Sequence, residues 1–148
     1  ERLREKEFGM LDGLTRAGIE AQFPEQAAMR AKVGKFYYRP PGGESWTDVI
    51  LRLRSALRAI REEYAGKRVA IVTHQVIVLC MRYVLERMTE QQILAIDRAT
   101  EVANCSVTEY RFDGATNRLE LQAYNLVAPL EEAGEPVTHE PDVPVARG

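Results

Sequence analysis

The run Val69-Ala70-Ile71-Val72 most constrains what this chain can fold into. Four consecutive apolar residues, three of them β-branched, suit a strand buried on both faces, the kind found in parallel sheets. Parallel neighbours are joined by long crossover connections, usually helices. The flanking sequence supplies them. Between Ser45 and Gly66, residues Trp46, Val49, Ile50, Leu53, Leu57, Ile60 and Tyr64 recur at spacings of three and four, which makes one apolar helix face. Arg54, Arg58, Arg61 and Glu62 lie largely off it. Ser45 with Asp48 reads as a capping box, and Gly66 is placed to end the helix. Beyond the run, Thr73-His74-Gln75 is a polar turn, and Val76 to Met88 reads as a mostly apolar helix. Thr89 with Gln92 forms a second capping-box pattern, opening a short helix towards Ile96. The block is thus helix, buried strand, polar turn, helix. In open α/β sheets, ligands bind at the carboxyl ends of strands, where such turns sit.

The rest is lighter in signal. Cys105 to Phe112 and Leu119 to Tyr124 read as two strands, with Asp113-Gly114 beginning the turn of a hairpin. Arg16 to Gly43 reads as irregular, punctuated by Pro24, Gly34, Pro40, Pro41, Gly42 and Gly43, and it holds a basic cluster of Arg30, Lys32, Lys35 and Arg39. One doubly buried strand and one hairpin make a thin sheet for this much helix. The expectation is that one or more strands lie upstream of Glu1.

At 148 residues the chain is one domain's worth and can hold a core without disulfide staples. Its 20 basic and 22 acidic side chains give a formal charge of -2, against the basicity of a backbone-driven nucleic-acid binder. No apolar run approaches the ~20 residues of a membrane span. The two cysteines, Cys80 and Cys105, form neither a disulfide framework nor a zinc spacing, which suits a reducing, cytoplasmic setting. No residue cluster has metal-ligand spacing, so neither metal nor other cofactor is expected. From residue 129 to 148 there are five acids and one base, and four of the seven prolines. That stretch is expected to be an extended acidic arm, with a packed irregular arm as the alternative. The folded domain is then residues 1–128, with a charge near +2.

Two groups of residues invite chemistry. His74 ends the buried strand. It is either a hydrogen-bonded histidine with no further role, or an imidazole able to donate to a phosphoryl oxygen or move a proton. Glu5 and Glu7 lie in a charged run that would ordinarily be a solvated face. Gly9 and Gly13, around Asp12, point instead to a tight loop. His139 lies in the Pro-rich arm and suggests no chemistry.

Together these pieces carry a resemblance. Leu3-Arg4-Glu5-Lys6-Glu7-Phe8-Gly9-Met10-Leu11-Asp12-Gly13 resembles the Leu-x-Glu-x-x-x-Gly-x-x-x-Gly block of the histidine phosphatase, or phosphoglycerate mutase-like, superfamily. Arg39-Pro40-Pro41-Gly42-Gly43-Glu44-Ser45 resembles its Pro-x-Gly-Glu-Ser segment, and Val72-Thr73-His74-Gln75 its second-histidine motif. The order is the family's, and the strings are most similar to the fructose-2,6-bisphosphatase branch. The resemblance implies an α/β fold: a three-layer sheet with helices on both faces, here lacking its N-terminal strand and helix.

The resemblance also implies phosphomonoester hydrolysis through a phosphohistidine, on a small phosphorylated substrate such as a sugar phosphate. Glu5 takes the place of the acid, and His74 that of the second histidine. Gln75, Arg30, Lys35 and Arg39 fall at or near substrate contacts, although Arg30 and Lys35 also read as solvated charges, and Arg39 as an internal partner of its loop. A pocket tyrosine falls on Arg16, another on Trp46, and an arginine on Leu79, so the bisphosphatase pattern is only partly kept. The family's nucleophile lies in an Arg-His-Gly motif that these 148 residues do not contain. The expectation is a chain inactive alone, completed by a homodimer partner or an N-terminal segment. The alternative is a non-catalytic phosphate-binding or interaction domain on the same fold.

Overall fold

The computed structural model describes residues 1–134 and 136–138, without the side chains of 129–131. It is a mixed α/β chain. In order it contains a 3-10 turn (Gly9–Leu11), helices α1 (Arg16–Gln22), α2 (Pro24–Val33), α3 (Trp46–Glu63), α4 (Gln75–Leu85) and α5 (Glu90–Ala99), strands β1 (Val107–Asp113) and β2 (Arg118–Leu126), and helix α6 (Ala128–Ala133). Two compact units divide within α4, one spanning Glu1–Met81 and the other beginning at Arg82.

In the first unit, α3 forms as its sequence dictates. The Ser45 hydroxyl accepts from Asp48 N, and the Asp48 carboxylate accepts from Ser45 N at 2.8 Å, so two otherwise orphaned amides are satisfied. The stripe buries Trp46, Val49, Ile50, Leu53 and Ala56, and Trp46 packs near Phe36 with ring centroids 6.0 Å apart. The α4 residues Val76, Ile77, Leu79, Cys80 and Met81 are buried too. A smaller cluster joins Leu11, Ile19 and Tyr38, flanked by Leu14, Phe23 and Ala27.

The stretch expected to be irregular is so only from Gly34 to Gly43. Arg16 to Val33 forms two short helices, α1 and α2. The Thr15 hydroxyl caps α1 by accepting from Gly18 N at 3.0 Å. Pro24 sits at the first position of α2, where a missing N–H costs nothing. A proline that reads as a break is here a helix start.

The expected buried strand also differs. Val69 to Thr73 forms neither strand nor helix and belongs to no sheet of the described residues, and Val72 is 97% exposed. A strand's backbone bonds come from its neighbours, and the only sheet among the described residues is the two-stranded β1–β2. Among the described residues the apolar run lacks the strand pairing that would bury it.

In the second unit, β1 and β2 pair antiparallel, with Tyr110 opposite Leu121 and Phe112 opposite Leu119. The Asp113 carboxylate organises the turn by accepting from Ala115 N and Thr116 N at 3.0 and 3.1 Å. Buried Arg82 donates twice to Glu86, at 2.8 and 3.0 Å, and lies 4.1 Å over the Tyr124 ring. Tyr110 donates to the same Glu86 at 2.6 Å, and burial pushes its hydroxyl strongly up. Helix α6 opens the stretch expected to be an acidic arm. Residue 135 and residues 139–148 lie outside the described part, and His139 with them.

Candidate active site

The site grows from two interlocked loops of the first unit. The first begins at Leu3 and tightens into the 3-10 turn, with Gly9 at φ +56° and Gly13 at φ +71°. The second runs Arg39 to Ser45. Met10 N donates to Pro41 O at 3.0 Å, and Glu44 N donates to Glu7 O at 2.9 Å. The backbones meet so closely that a Cβ on Gly9 would lie 2.2 Å from Pro41 O, and one on Gly43 would lie 2.7 Å from Glu7 O. Glycine is required at both positions by this approach.

Arg52 of α3 and Glu44 lock the loops. Arg52 Nε and Nη2 donate to Glu44 Oε1 and Oε2 at 2.8 and 2.9 Å, a bidentate pair, and both side chains are mostly buried. Arg52 also donates to Arg2 O at 2.8 Å and Glu5 O at 3.2 Å. Glu44 accepts further from Glu7 N. Burial works to raise the Glu44 carboxyl. The bonds from Arg52 and Glu7 N, with the Arg52 and Arg4 charges, outweigh it and hold the group below its ordinary value.

Glu5, on this pinned segment, is half-buried, and its carboxylate accepts from Lys6 N at 2.6 Å. His74 is exposed, and its carbonyl accepts from Val78 N as α4 begins. Gln75 is half-buried as the first residue of α4. The Thr73 hydroxyl ties the two segments by donating to Leu3 O at 2.9 Å, one residue from His74 and two from Glu5.

A cationic cluster lies beside Glu5. Arg30, in the last turn of α2, and Lys35 are half-buried. Lys35 Nζ lies 5.4 Å over the Trp46 ring. With Lys6 and Tyr38 they line a small cavity of about 20 Å³ walled by Phe8 and Ile19. Lys6 is 5% exposed, with Nζ 4.3 Å over the Phe8 ring. Burial, followed by the Arg30 charge, pushes its ammonium down to about 8, against the pull of Glu5 and Glu44 and with a smaller push from Lys35.

Of the residues named from sequence, Glu5, Arg30 and Lys35 share this neighbourhood, and the Thr73 bond brings the His74 turn to it. Arg39 does not join them: it is exposed and donates to the Asp48 carboxylate at the start of α3, the internal partnership that was one of its two readings. Trp46 and Leu79 are fully buried core, and exposed Arg16 pairs with Glu20. Sequence reasoning assigned nothing to Lys6, Glu44 or Arg52. Glu44 stands inside a quoted motif, but Arg52 lies eight residues on, outside the three- and four-residue spacings at which helix side chains meet, so no local pattern pairs the two. Among the described residues no group of three His, Cys, Asp or Glu side chains could hold a metal ion. None of the described helices is long and apolar enough to cross a membrane.

Comparison with known proteins fits this geometry. The chain is 35% identical over 79 residues to fructose-2,6-bisphosphatase of Saccharomyces cerevisiae, covering 53% of the chain and 17% of the relative. It is also 35% identical over 79 residues to 6-phosphofructo-2-kinase/fructose-2,6-bisphosphatase of Caenorhabditis elegans, covering 53% and 16%. The match thus spans under a fifth of these relatives' length. Among solved structures, Bacillus stearothermophilus YhfR superposes with a TM-score of 0.70 at 25% identity, over 86% of this chain and 60% of that one. Mycobacterial glucosyl-3-phosphoglycerate phosphatase in complex with inorganic phosphate does so with a TM-score of 0.68 at 26% identity, over 86% and 63%. The family model for the histidine phosphatase superfamily (branch 1) matches residues 1–125, and the chain belongs to that superfamily.

Proposed function

We propose that this chain carries the acid and phosphate-stabilising half of a phosphomonoesterase site that acts on a sugar phosphate through a phosphohistidine. The observation that carries the reading is the Thr73–Leu3 hydrogen bond, which ties the His74 turn to the Glu5 loop beside three cations. Glu5 gives its proton to the leaving oxygen and then takes one from the attacking water. His74, Gln75 and the cations offset charge on the transferred phosphoryl group and its substrate. The 148 residues hold no Arg-His-Gly, so the attacking imidazole comes from sequence outside them or from another chain. A second reading is a phosphate-binding domain that uses the same cations and does no chemistry.

An assay of the full reading frame separates the two. The first reading expects turnover of sugar phosphates, with kcat lowered ~10²–10⁴-fold in Glu5→Gln. The 148-residue chain alone should bind orthophosphate without turnover. Phosphate binding by the full frame with no hydrolysis establishes the second reading. Unchanged kcat in Glu5→Gln removes the acid from the account.

A further inference from the structure

The segment that carries Glu5 is held by side chains. Residues 2–7 form neither helix nor strand, so their positions depend on what satisfies their backbone groups one by one. Arg2 O and Glu5 O accept from Arg52 at 2.8 and 3.2 Å, and Leu3 O accepts from the Thr73 hydroxyl at 2.9 Å. Glu7 N donates to the Glu44 carboxylate at 3.1 Å. Arg52 and Glu44, themselves joined by two hydrogen bonds, therefore grip the backbone on both sides of Glu5.

Arg52 is committed to this task. Its Nε donates to Glu44, its Nη2 to both Glu44 and Glu5 O, and its Nη1 to Arg2 O, which occupies four of the five N–H bonds of a guanidinium. Its side chain is 13% exposed. A guanidinium so occupied acts through what it holds, and what it holds is the Glu5 segment. The Glu5 carboxylate is fixed in turn. Its Oε1 accepts from Lys6 N at 2.6 Å, whereas its Oε2 makes no hydrogen bond among the described residues. Oε2 is thus the oxygen at liberty to carry a proton.

We propose that Arg52 is a positioning residue of this site: with Glu44 it fixes the Glu5 backbone so that Oε2 is the atom that hands the proton to the leaving oxygen. This rests on the functional reading above and goes beyond it, by assigning the proton to one oxygen and its placement to a residue whose donors are spent within the protein. In the first step an imidazole from outside these residues bonds to phosphorus, the bond from phosphorus to the leaving oxygen breaks, and that oxygen takes the Oε2 proton. In the second, water bonds to phosphorus, the imidazole departs, and a proton of the water passes to Oε2, which restores the acid. Both transfers depend on where Oε2 stands, and a displacement of about 1 Å can cost ~10²-fold in rate.

Steady-state kinetics of the full reading frame test the proposal, with fructose 2,6-bisphosphate, fructose 6-phosphate and 3-phosphoglycerate as substrates. Arg52→Lys keeps a cation beside Glu44 but cannot span Glu44 and both carbonyls. It should lower kcat ~10–10²-fold on whichever substrate turns over fastest and leave KM within about twofold. The deciding measurement is the double variant. Arg52→Lys placed in Glu5→Gln should change kcat less than about twofold, because the group it positions is already gone. An equal fold loss in both backgrounds shows a merely structural role and overturns the proposal, as does unchanged kcat in Arg52→Lys. A loss in Glu5→Gln beside an unchanged Arg52→Lys leaves the functional reading standing. Unchanged kcat in Glu5→Gln, or no turnover of the three substrates by the original frame, removes both. If Arg52→Lys does not fold by circular dichroism, Glu44→Gln loosens the same grip from its other end and is read in the same cycle.

Discussion

Gly9→Ala should destabilise the chain by about 3 kcal/mol or more, measured as a lowered urea midpoint. Two costs combine. Gly9 has φ +56°, where an L side chain is strained by about 1 kcal/mol. The new methyl group would lie 2.2 Å from Pro41 O, 2.5 Å from Gly43 N and 2.6 Å from Gly42 C. These are backbone atoms, so no side chain can swing aside, and such overpacking costs ~1–3 kcal/mol by itself. Relief would require parting the loops and breaking the Met10–Pro41 bond. Gly13 is the control. Its φ is +71°, but a Cβ there meets nothing within 4 Å, so Gly13→Ala should carry only the backbone strain, about 1 kcal/mol. Equal losses at the two positions would show that the interlocking of the loops contributes nothing.

Arg52→Ala should cost about 3 kcal/mol, because it leaves the Glu44 carboxylate mostly buried with its bidentate partner gone. It also frees the Arg2 and Glu5 carbonyls, so the loop carrying Glu5 should loosen and become more open to amide exchange. Removing both partners together should cost less than the sum of the single changes, which a double-mutant cycle with Glu44→Ala reads directly. The pH dependence has a definite sign. Glu44 is held below its unfolded value in the native chain, so its stabilisation is complete above that unfolded value, near 4.5, and is lost as pH falls through the lower native one. Arg52→Ala should therefore blunt the loss of stability below pH 4.5. Asp48, held down in the same way by Arg39 and Ser45 against the effect of burial, leaves a residual acid sensitivity.

Much of the fold is legible because its signals are local. Ser45/Asp48 and Thr89/Gln92 place the starts of α3 and α5, and the Asp113-Gly114 turn places the hairpin. Local signals also explain the failures. Helix α2 buries no residue, so it has no apolar stripe to read, and Pro24 looks the same whether it breaks a helix or begins one. The Val69–Val72 run states what the strand needs, namely neighbours, and no local pattern says whether they are present. Lys6 reads as one charge among Arg4, Glu5 and Glu7. Its burial is shared with Tyr38 and Pro40, which line the same cavity from over thirty residues away in sequence. Arg39 shows the reverse: a plausible phosphate contact by motif, occupied in the structure by the cap residue Asp48.

The claim at the centre of this account is that the Glu5 loop and the His74 turn face one phosphate. A ¹H–¹⁵N NMR titration of the 148-residue chain with orthophosphate reads it directly. The account predicts saturable shifts grouped at Glu5, Lys6, Thr73, His74 and Gln75, diminished in His74→Ala. Shifts confined to the exposed arginines of the hairpin, Arg111 and Arg118, or at the Glu5 loop without the His74 turn, would contradict it.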